Sequence, residues 1–317
     1  MSYVEKKFNE AVFIRSDEKP HVFLFSCKDF YGLQTEALDF VSSKGHKMRA
    51  FFYYYPNFIK DRLIIFDHGM YSGHRSYLRE IELLCKNGYL VLAEDHTGCF
   101  ESEGESTGGF AQSLCDLDDL IKVVKNDSRL SSMDISVIGH SWGGFSAMNI
   151  VKFHPEISHV VALSGFISVE AIISQHVPFI FSREVKKLVA NEMRLNPSYA
   201  GVSGVETLKN TDSRVLIVHS TDDKVVKYKK HAYVLEKELA GKENIEFLIV
   251  NGKGHHPNYT KEAIARKDQF FKDAKVAFKK KQLTSTEECE EFKARYDWRA
   301  ITRQDKAVWK VILDFLK

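Results

Sequence analysis

The sequence predicts an α/β fold: a mostly parallel, twisted, eight-stranded sheet with helices on both faces and a helical cap insertion. Three observations carry this. Short apolar runs alternate with stretches of helical periodicity through the middle of the chain, the pattern of βαβ units. Several of those runs are apolar throughout, as strands covered on both faces are. The chain has 317 residues, enough for one large core without disulfide or metal staples.

The elements follow in order. ALDFVSS from Ala37, the turn Lys44-Gly45-His46 and KMRAFFYYY from Lys47 read as two β-rich runs joined by a turn. Leu63 to Phe66 is a short buried strand, and Tyr77, Ile81, Leu83 and Leu84 mark a helix after it. Tyr89 to Leu92 is a strand, and Leu114, Leu117, Leu120, Ile121, Val123 and Val124 build the next helix. Ile135 to Ile138 is a strand, followed by a helix from about Ser141 to Val151 and a strand at Val160 to Leu163. The alternation breaks over residues 170–213 and resumes with a strand at Val215 to Val218, a helix from Tyr228 to Leu239 and a strand at Ile245 to Val250. Val308, Val311, Ile312, Phe315 and Leu316 place a final helix. We read a single domain over 1–317 carrying two insertions. The first, about 170–213, contains the apolar run VPFIF (Val177 to Phe181). The second, about 260–300, is rich in lysine and glutamate, and Thr284-Ser285-Thr286-Glu287-Glu288 offers a capping box there. Residues 1–35 show no readable pattern and receive no role.

Composition narrows the function. Lys+Arg number 45 and Asp+Glu 43, a formal net charge of +2, which gives no pull towards nucleic acid or an anionic membrane. Five cysteines, Cys27, Cys85, Cys99, Cys115 and Cys289, are odd in number and never at C-x-x-C spacing. That argues against a zinc ribbon and a disulfide framework. No basic-then-apolar leader and no run of membrane-spanning length is present, so the expectation is a cytoplasmic protein with no membrane or nucleic-acid partner. The oligomeric state is not legible.

Open parallel sheets bind ligands beyond the carboxyl ends of their strands, so the residues after each strand matter most. After Ile138 stands Gly139-His140-Ser141-Trp142-Gly143, a G-x-S-x-G between a buried strand and a helix. In that setting the serine sits on a sharp turn at a helix N-terminus, where developing negative charge is favoured. After Val218 stand Asp222 and Asp223; after Val250 stand His255 and His256 on a glycine-flanked loop. After Phe66 stands Asp67-His68-Gly69-Met70. The Met70 N–H, with the Trp142 N–H after the serine, could form an oxyanion hole.

At these residues the sequence resembles the α/β-hydrolase superfamily. The carrying stretches are H-G-M at 68–70, D-H-T-G-C-F-E-S-E-G at 95–104, G-H-S-W-G-G at 139–144, H-S-T-D-D-K-V-V at 219–226 and G-K-G-H-H at 252–256. The second is similar to the loop D-x-R-G-x-G-x-S-x-G but carries Thr97 for arginine and Phe100 for glycine. The closest likeness is to the serine hydrolases that include small esterases, acyl-lipases and serine aminopeptidases. The resemblance implies a triad of Ser141, Asp223 and His255, because H-G-x-x-D-x-x-V aligns its aspartate with Asp223 and G-x-G-H selects His255.

The chemistry expected is acyl transfer through an acyl-enzyme, with no metal and no organic cofactor. A carboxylic ester of a small molecule is the first expectation for substrate. Tyr71, His140, Phe179 and Phe181 are the pocket candidates, since family members carry a lid where 170–213 falls. A peptidase or amidase using the same triad is the alternative. An aminopeptidase would need carboxylates for a free amine, and Glu184 and Glu192 are the ones in reach by sequence. A non-catalytic scaffold is the third and weakest reading.

Overall fold

The computed structural model describes residues 2–317, apart from the side chain of Phe179. Eight strands form one sheet: β1 (Gln34–Val41), β2 (Lys47–Tyr54), β3 (Arg62–Asp67), β4 (Leu90–Asp95), β5 (Asp134–His140), β6 (His159–Leu163), β7 (Arg214–Ser220) and β8 (Ile245–Val250). Their order is β1-β2-β4-β3-β5-β6-β7-β8. β1 pairs antiparallel with β2 and β2 with β4; the other pairings are parallel. The expected fold class is therefore the observed one.

Helices fill the connections: α1 (Tyr3–Val12), α2 (Leu78–Lys86), α3 (Gln112–Asn126), α4 (Trp142–Ile150), α5 (Val169–His176), α6 (Ser182–Leu195), α7 (Gly204–Lys209), α8 (Ala232–Glu238), α9 (Lys261–Lys279), α10 (Thr286–Ala294), α11 (Trp298–Ile301) and α12 (Lys306–Phe315). The helix read from Tyr228 is a 3₁₀ turn, Tyr228–Lys230, before α8. None of the described helices is long and apolar enough to cross a membrane.

The period of two in each strand divides the core. Leu63 and Ile65 of β3 pack on one side with Leu117 and Leu120 of α3 and Phe145 of α4. Ile64 and Phe66 pack on the other with Ile81 and Leu84 of α2 and Trp309 and Ile312 of α12. A smaller cluster around Phe270, Cys289 and Phe292 joins α9 to α10. The capping box expected within Thr284–Glu288 starts α10 and is formed by Ser285 and Glu288.

The chain ahead of β1 has an architecture that sequence reading left blank. A capping box of Ser2 and Glu5 starts α1. Beyond α1 the backbone zips onto the loop after β4: Ser16 N–H donates to Gly98 O at 2.8 Å, Phe100 N–H to Ser16 O at 3.0 Å and Thr107 N–H to Ile14 O at 3.1 Å. The Arg15 guanidinium donates to the carbonyls of Phe100, Ser102 and Gly104.

The segment between β6 and β7 docks through a buried carboxylate. Glu192 of α6 accepts from Phe110 N–H at 2.9 Å and Ala111 N–H at 3.2 Å, at the start of α3. Burial pushes this carboxyl up to about 7, and the two N–H donors only partly offset it. Raised in the folded chain, it contributes most below the unfolded carboxyl range, and that contribution is lost as pH rises through about 7. Thermal melts of Glu192→Gln at about pH 5 and about pH 8 should show a smaller drop than the wild-type chain, by on the order of 1 kcal/mol. Equal drops would mean that Glu192 does not titrate there.

Candidate active site

The turn after β5 is tightly constrained backbone. Ser141 has φ +58° and ψ −107°, a conformation that costs roughly 1–3 kcal/mol for a residue with a side chain. The residues two before and two after it must be glycine for steric reasons. A Cβ on Gly139 would lie 2.0 Å from the Gly143 carbonyl oxygen, and one on Gly143 would lie 2.2 Å from that of Asp67. The tight approach brings the turn after β5 against the turn after β3, where Gly143 N–H donates to His68 O at 3.1 Å. α4 starts at Trp142, so the Ser141 side chain stands at a helix N-terminus.

The loop after β8 brings His255 to this serine. His255 Nε2 lies 2.8 Å from Ser141 Oγ, and Nδ1 lies 2.8 Å from Asp223 Oδ2. Asp223 is held from behind: its Oδ1 accepts from the N–H groups of Val225 at 2.8 Å and Val226 at 3.0 Å. Burial would raise its pKa, but the hydrogen bond and charge of His255, with the Val226 N–H and His219, hold it below the usual carboxylate range. It is therefore ionised and orients the imidazole with Nδ1–H towards itself and Nε2 free to accept from the serine.

The two neighbours that sequence left as alternatives do other work. Asp222 Oδ1 accepts from Ser220 Oγ at 2.5 Å and from the N–H groups of Gly252, Lys253 and Gly254, at 2.9, 3.2 and 3.2 Å. It shapes the histidine loop without touching the histidine. His256 faces away from Ser141: its Nε2 is 2.7 Å from Lys267 Nζ, and its ring stacks on Tyr259.

The turn after β3 orients the Met70 amide. His96 N–H donates to His68 Nε2 at 3.0 Å, which leaves the proton on Nδ1 to donate to Gly69 O at 2.8 Å. A trans peptide sets C=O and N–H on opposite sides. Drawing the Gly69 carbonyl towards the His68 ring therefore turns the Met70 N–H away from it. Neither this N–H nor that of Trp142 bonds to a backbone carbonyl among the described residues.

Beneath the turn lies a buried charge cluster. Asp67, Glu94 and His96 offer ligand atoms within 4.8 Å of one another, the one metal-sized grouping among the described residues. His96 Nε2 is 2.5 Å from Asp67 Oδ1, an ion-pair contact. Burial alone would discharge this imidazole, but Asp67 and Asp116 outweigh it and raise its pKa. Burial together with Asp116 and Asp67 drives Glu94 up towards the neutral acid.

Ser141 and His255 open onto a cavity of about 620 Å³, a size typical of small-molecule sites. Its walls include Met70, Tyr71, Phe110, Phe166, Ile172, Val177 and Val226. α1 supplies a wall that sequence reading missed, with Val4, Phe8, Ala11 and Val12 facing the space, and Tyr71 Oη donates to the Ala11 carbonyl. The signal was present as a capping box followed by apolar residues at helical spacing. Of the four pocket candidates, Tyr71 lines the cavity. His140 does not: it is buried under the site, with Nε2 bonded to the His255 carbonyl. Phe181 is 37% exposed and also lies outside the lining; Val177 and Pro178 of the same apolar run take the position instead. The Phe179 side chain lies outside the described residues. Cys99 is buried, and burial pushes its thiol up, as suits a small core filler.

Comparison with known proteins agrees with this architecture. The family model described as serine aminopeptidase, S33, matches residues 59–203, a span that holds the turns after β3 and β5 and ends before β7. An uncharacterized protein of Rickettsia prowazekii is 23% identical over 200 residues, 62% of this chain and 82% of that one. Among solved structures, the chain is similar to the Pyrococcus furiosus esterase Pf2001, at TM-score 0.60 and 19% identity over 84% of this chain and 98% of that one. It is similar also to the α/β hydrolase GrgF from Penicillium sp., at TM-score 0.53 and 14% identity over 80% of this chain and 100% of that one. Acetyl xylan esterase 1 from Thermoanaerobacterium sp. matches at TM-score 0.51 and 16% identity over 81% of this chain and 94% of that one. The chain has the α/β-hydrolase fold, and its residues 59–203 match the serine aminopeptidase model.

The geometry separates the two aspartates experimentally. Asp223→Asn should lower kcat by roughly 10³–10⁴-fold on any ester the chain turns over, because the amide favours the wrong histidine tautomer. Asp222→Asn should cost less than about tenfold, through loosening of the loop. A larger loss at Asp222 would reverse the assignment.

Proposed function

We propose that the protein is a serine hydrolase that cleaves carboxylic esters of small molecules through an acyl-enzyme. The observation that carries this reading is the hydrogen-bonded line Ser141–His255–Asp223, with both contacts at 2.8 Å, at the mouth of an apolar cavity. In the proposed mechanism Ser141 Oγ attacks the ester carbonyl while His255 Nε2 takes its proton. Asp223 stabilises the imidazolium. The tetrahedral oxyanion accepts hydrogen bonds from the Met70 and Trp142 N–H groups, each such donor being worth roughly 3–4 kcal/mol. His255 returns the proton to the departing alkoxide, and water then repeats the sequence on the acyl-enzyme.

The family description invites the aminopeptidase alternative, and the cavity speaks against it. A free ammonium needs a carboxylate partner once desolvated. Among the described residues no aspartate or glutamate lines the cavity. Of the two candidates for that role, Glu184 lies outside the lining and Glu192 is committed to the start of α3. The walls suit an apolar acyl group instead, and we read the helices between β6 and β7 as the cap over it. The same proposal puts the enzyme in the cytoplasm.

Ser141→Ala should abolish turnover and fluorophosphonate labelling while leaving the melting temperature nearly unchanged; residual hydrolysis above about a thousandth of wild type would refute the nucleophile. A panel of p-nitrophenyl esters beside aminoacyl anilides separates the two substrate classes, and faster turnover of the anilides would overturn the ester reading. Phe8→Ala should enlarge the cavity and raise kcat/KM for long acyl chains severalfold relative to acetate. An unchanged ratio would remove α1 from the acyl pocket.

A further inference from the structure

We infer that Tyr77 and His140 form a positioning relay that couples the turn carrying the Met70 amide to the loop carrying His255. The relay serves the serine-hydrolase reading above and rests on it. Neither side chain lines the cavity, and neither touches the three reacting side chains by hydrogen bond.

Three hydrogen bonds run in one direction. Gly69 N–H donates to Tyr77 Oη at 3.1 Å, Tyr77 O–H donates to His140 Nδ1 at 2.8 Å, and His140 Nε2–H donates to the His255 carbonyl at 2.7 Å. The polarity follows from the end groups. A carbonyl only accepts, so Nε2 must carry a proton. Burial, reinforced by the neighbouring His255, keeps the His140 pKa down at about 3, so the ring is neutral and Nδ1 accepts. Tyr77 must then donate its only proton to Nδ1, and its lone pair is left for Gly69 N–H.

The parts are built for close approach. A Cβ on Gly69 would lie 2.6 Å from Tyr77 Oη, so glycine is what lets the phenol reach the amide. The His140 ring stacks on His256 with centroids 5.0 Å apart and planes 14° apart, and His256 is backed in turn by Tyr259. Tyr77 and His140 are both buried. The relay's two ends are backbone groups next to the atoms that matter: Gly69 precedes Met70, and the His255 carbonyl belongs to the residue whose ring bridges Ser141 and Asp223. His140 itself directly precedes Ser141. One side-chain pair therefore spans the turns after β3, β5 and β8. A displacement of about 1 Å between such groups costs on the order of a hundredfold in rate.

The test compares Tyr77→Phe, His140→Leu, His140→Gln and the Tyr77→Phe/His140→Leu pair. Rates are taken on one p-nitrophenyl ester and divided by the sites titrated with a fluorophosphonate, so that unfolded protein does not enter. Tyr77→Phe and His140→Leu should each lower kcat per titrated site by about 10–100-fold and leave KM within about twofold. His140→Gln, which keeps a donor for the His255 carbonyl, should recover part of that loss. The double variant should lose little more than the worse single variant, since both break one chain of bonds. Multiplying losses, or a Tyr77→Phe rate per site within about twofold of wild type, would overturn the relay. Tyr77→Phe is nearly isosteric and keeps the test available if His140→Leu fails to fold. An inert Ser141→Ala with an unaffected Tyr77→Phe would sink the relay alone; an active Ser141→Ala would sink the serine-hydrolase reading as well.

Discussion

The close contact between the turns after β3 and β5 is the constraint from which the rest of the site follows. Gly143 lies so near the Asp67 carbonyl that no side chain fits between them. That approach lets α4 begin immediately after the sheet, which forces Ser141 into the left-handed region and turns its hydroxyl outwards. The same contact lets Gly143 N–H hold His68 O, and so fixes the turn that presents the Met70 amide. Tyr71, Phe100 and Ser164, in the turns after β3, β4 and β6, share a positive φ with Ser141, and the strain is carried by parallel strands buried on both faces. Buried strands on either side of the turn are what keep such a backbone from relaxing.

Much of this was legible in the sequence because parallel strands leave a plain mark. β3, β4 and β7 have apolar centres (Leu63–Phe66, Leu90–Ala93 and Val215–Val218), so strand ends could be located; Ser141 follows β5, Asp223 follows β7 and His255 follows β8. The choice of Asp223 over Asp222 and of His255 over His256 came from family spacing. The structure supplies a physical counterpart: Asp222 is consumed by loop amides and His256 by Lys267. What could not be read depends on contacts far apart in the chain. Phe181 is apolar and in the right segment, yet a 3₁₀ turn at Phe179–Phe181 leaves it more exposed than Val177. His140 stands beside Ser141 in sequence, but its ring is buried beneath the site, bonded to Tyr77 Oη and the His255 carbonyl. α1 was missed because one short helix ahead of an irregular stretch has no alternation to give it context.

The loop after β4 shows how a departure from a family pattern is accommodated. Phe100 stands where the pattern has glycine, and it keeps the glycine-like backbone, with φ +40°. Its N–H and C=O are both engaged by the N-terminal segment, through Ser16 and Arg15. Asp95 adds the Glu101 N–H at 3.2 Å and the His74 ring and N–H at 2.8 Å. The strained residue is thus overdetermined by bonds from two directions. Thr97, in place of the pattern's arginine, bonds Asp116 through N–H at 2.8 Å and hydroxyl at 2.9 Å.

The zipper between residues 14–16 and the loop after β4 has a consequence for heat resistance. One wall of the cavity, α1, is attached by these backbone bonds, the Arg15 fork, the Tyr71–Ala11 and Thr107–Val12 contacts and the packing of Phe8 on Phe110, whereas the turns carrying Ser141 and Met70 are embedded in the sheet. Elements held mainly by such peripheral bonds sit at the low end of the local stability scale. On the proposed esterase reading, warming would cost the chain its selectivity among acyl groups before its turnover, through a state that still hydrolyses esters but no longer measures their length.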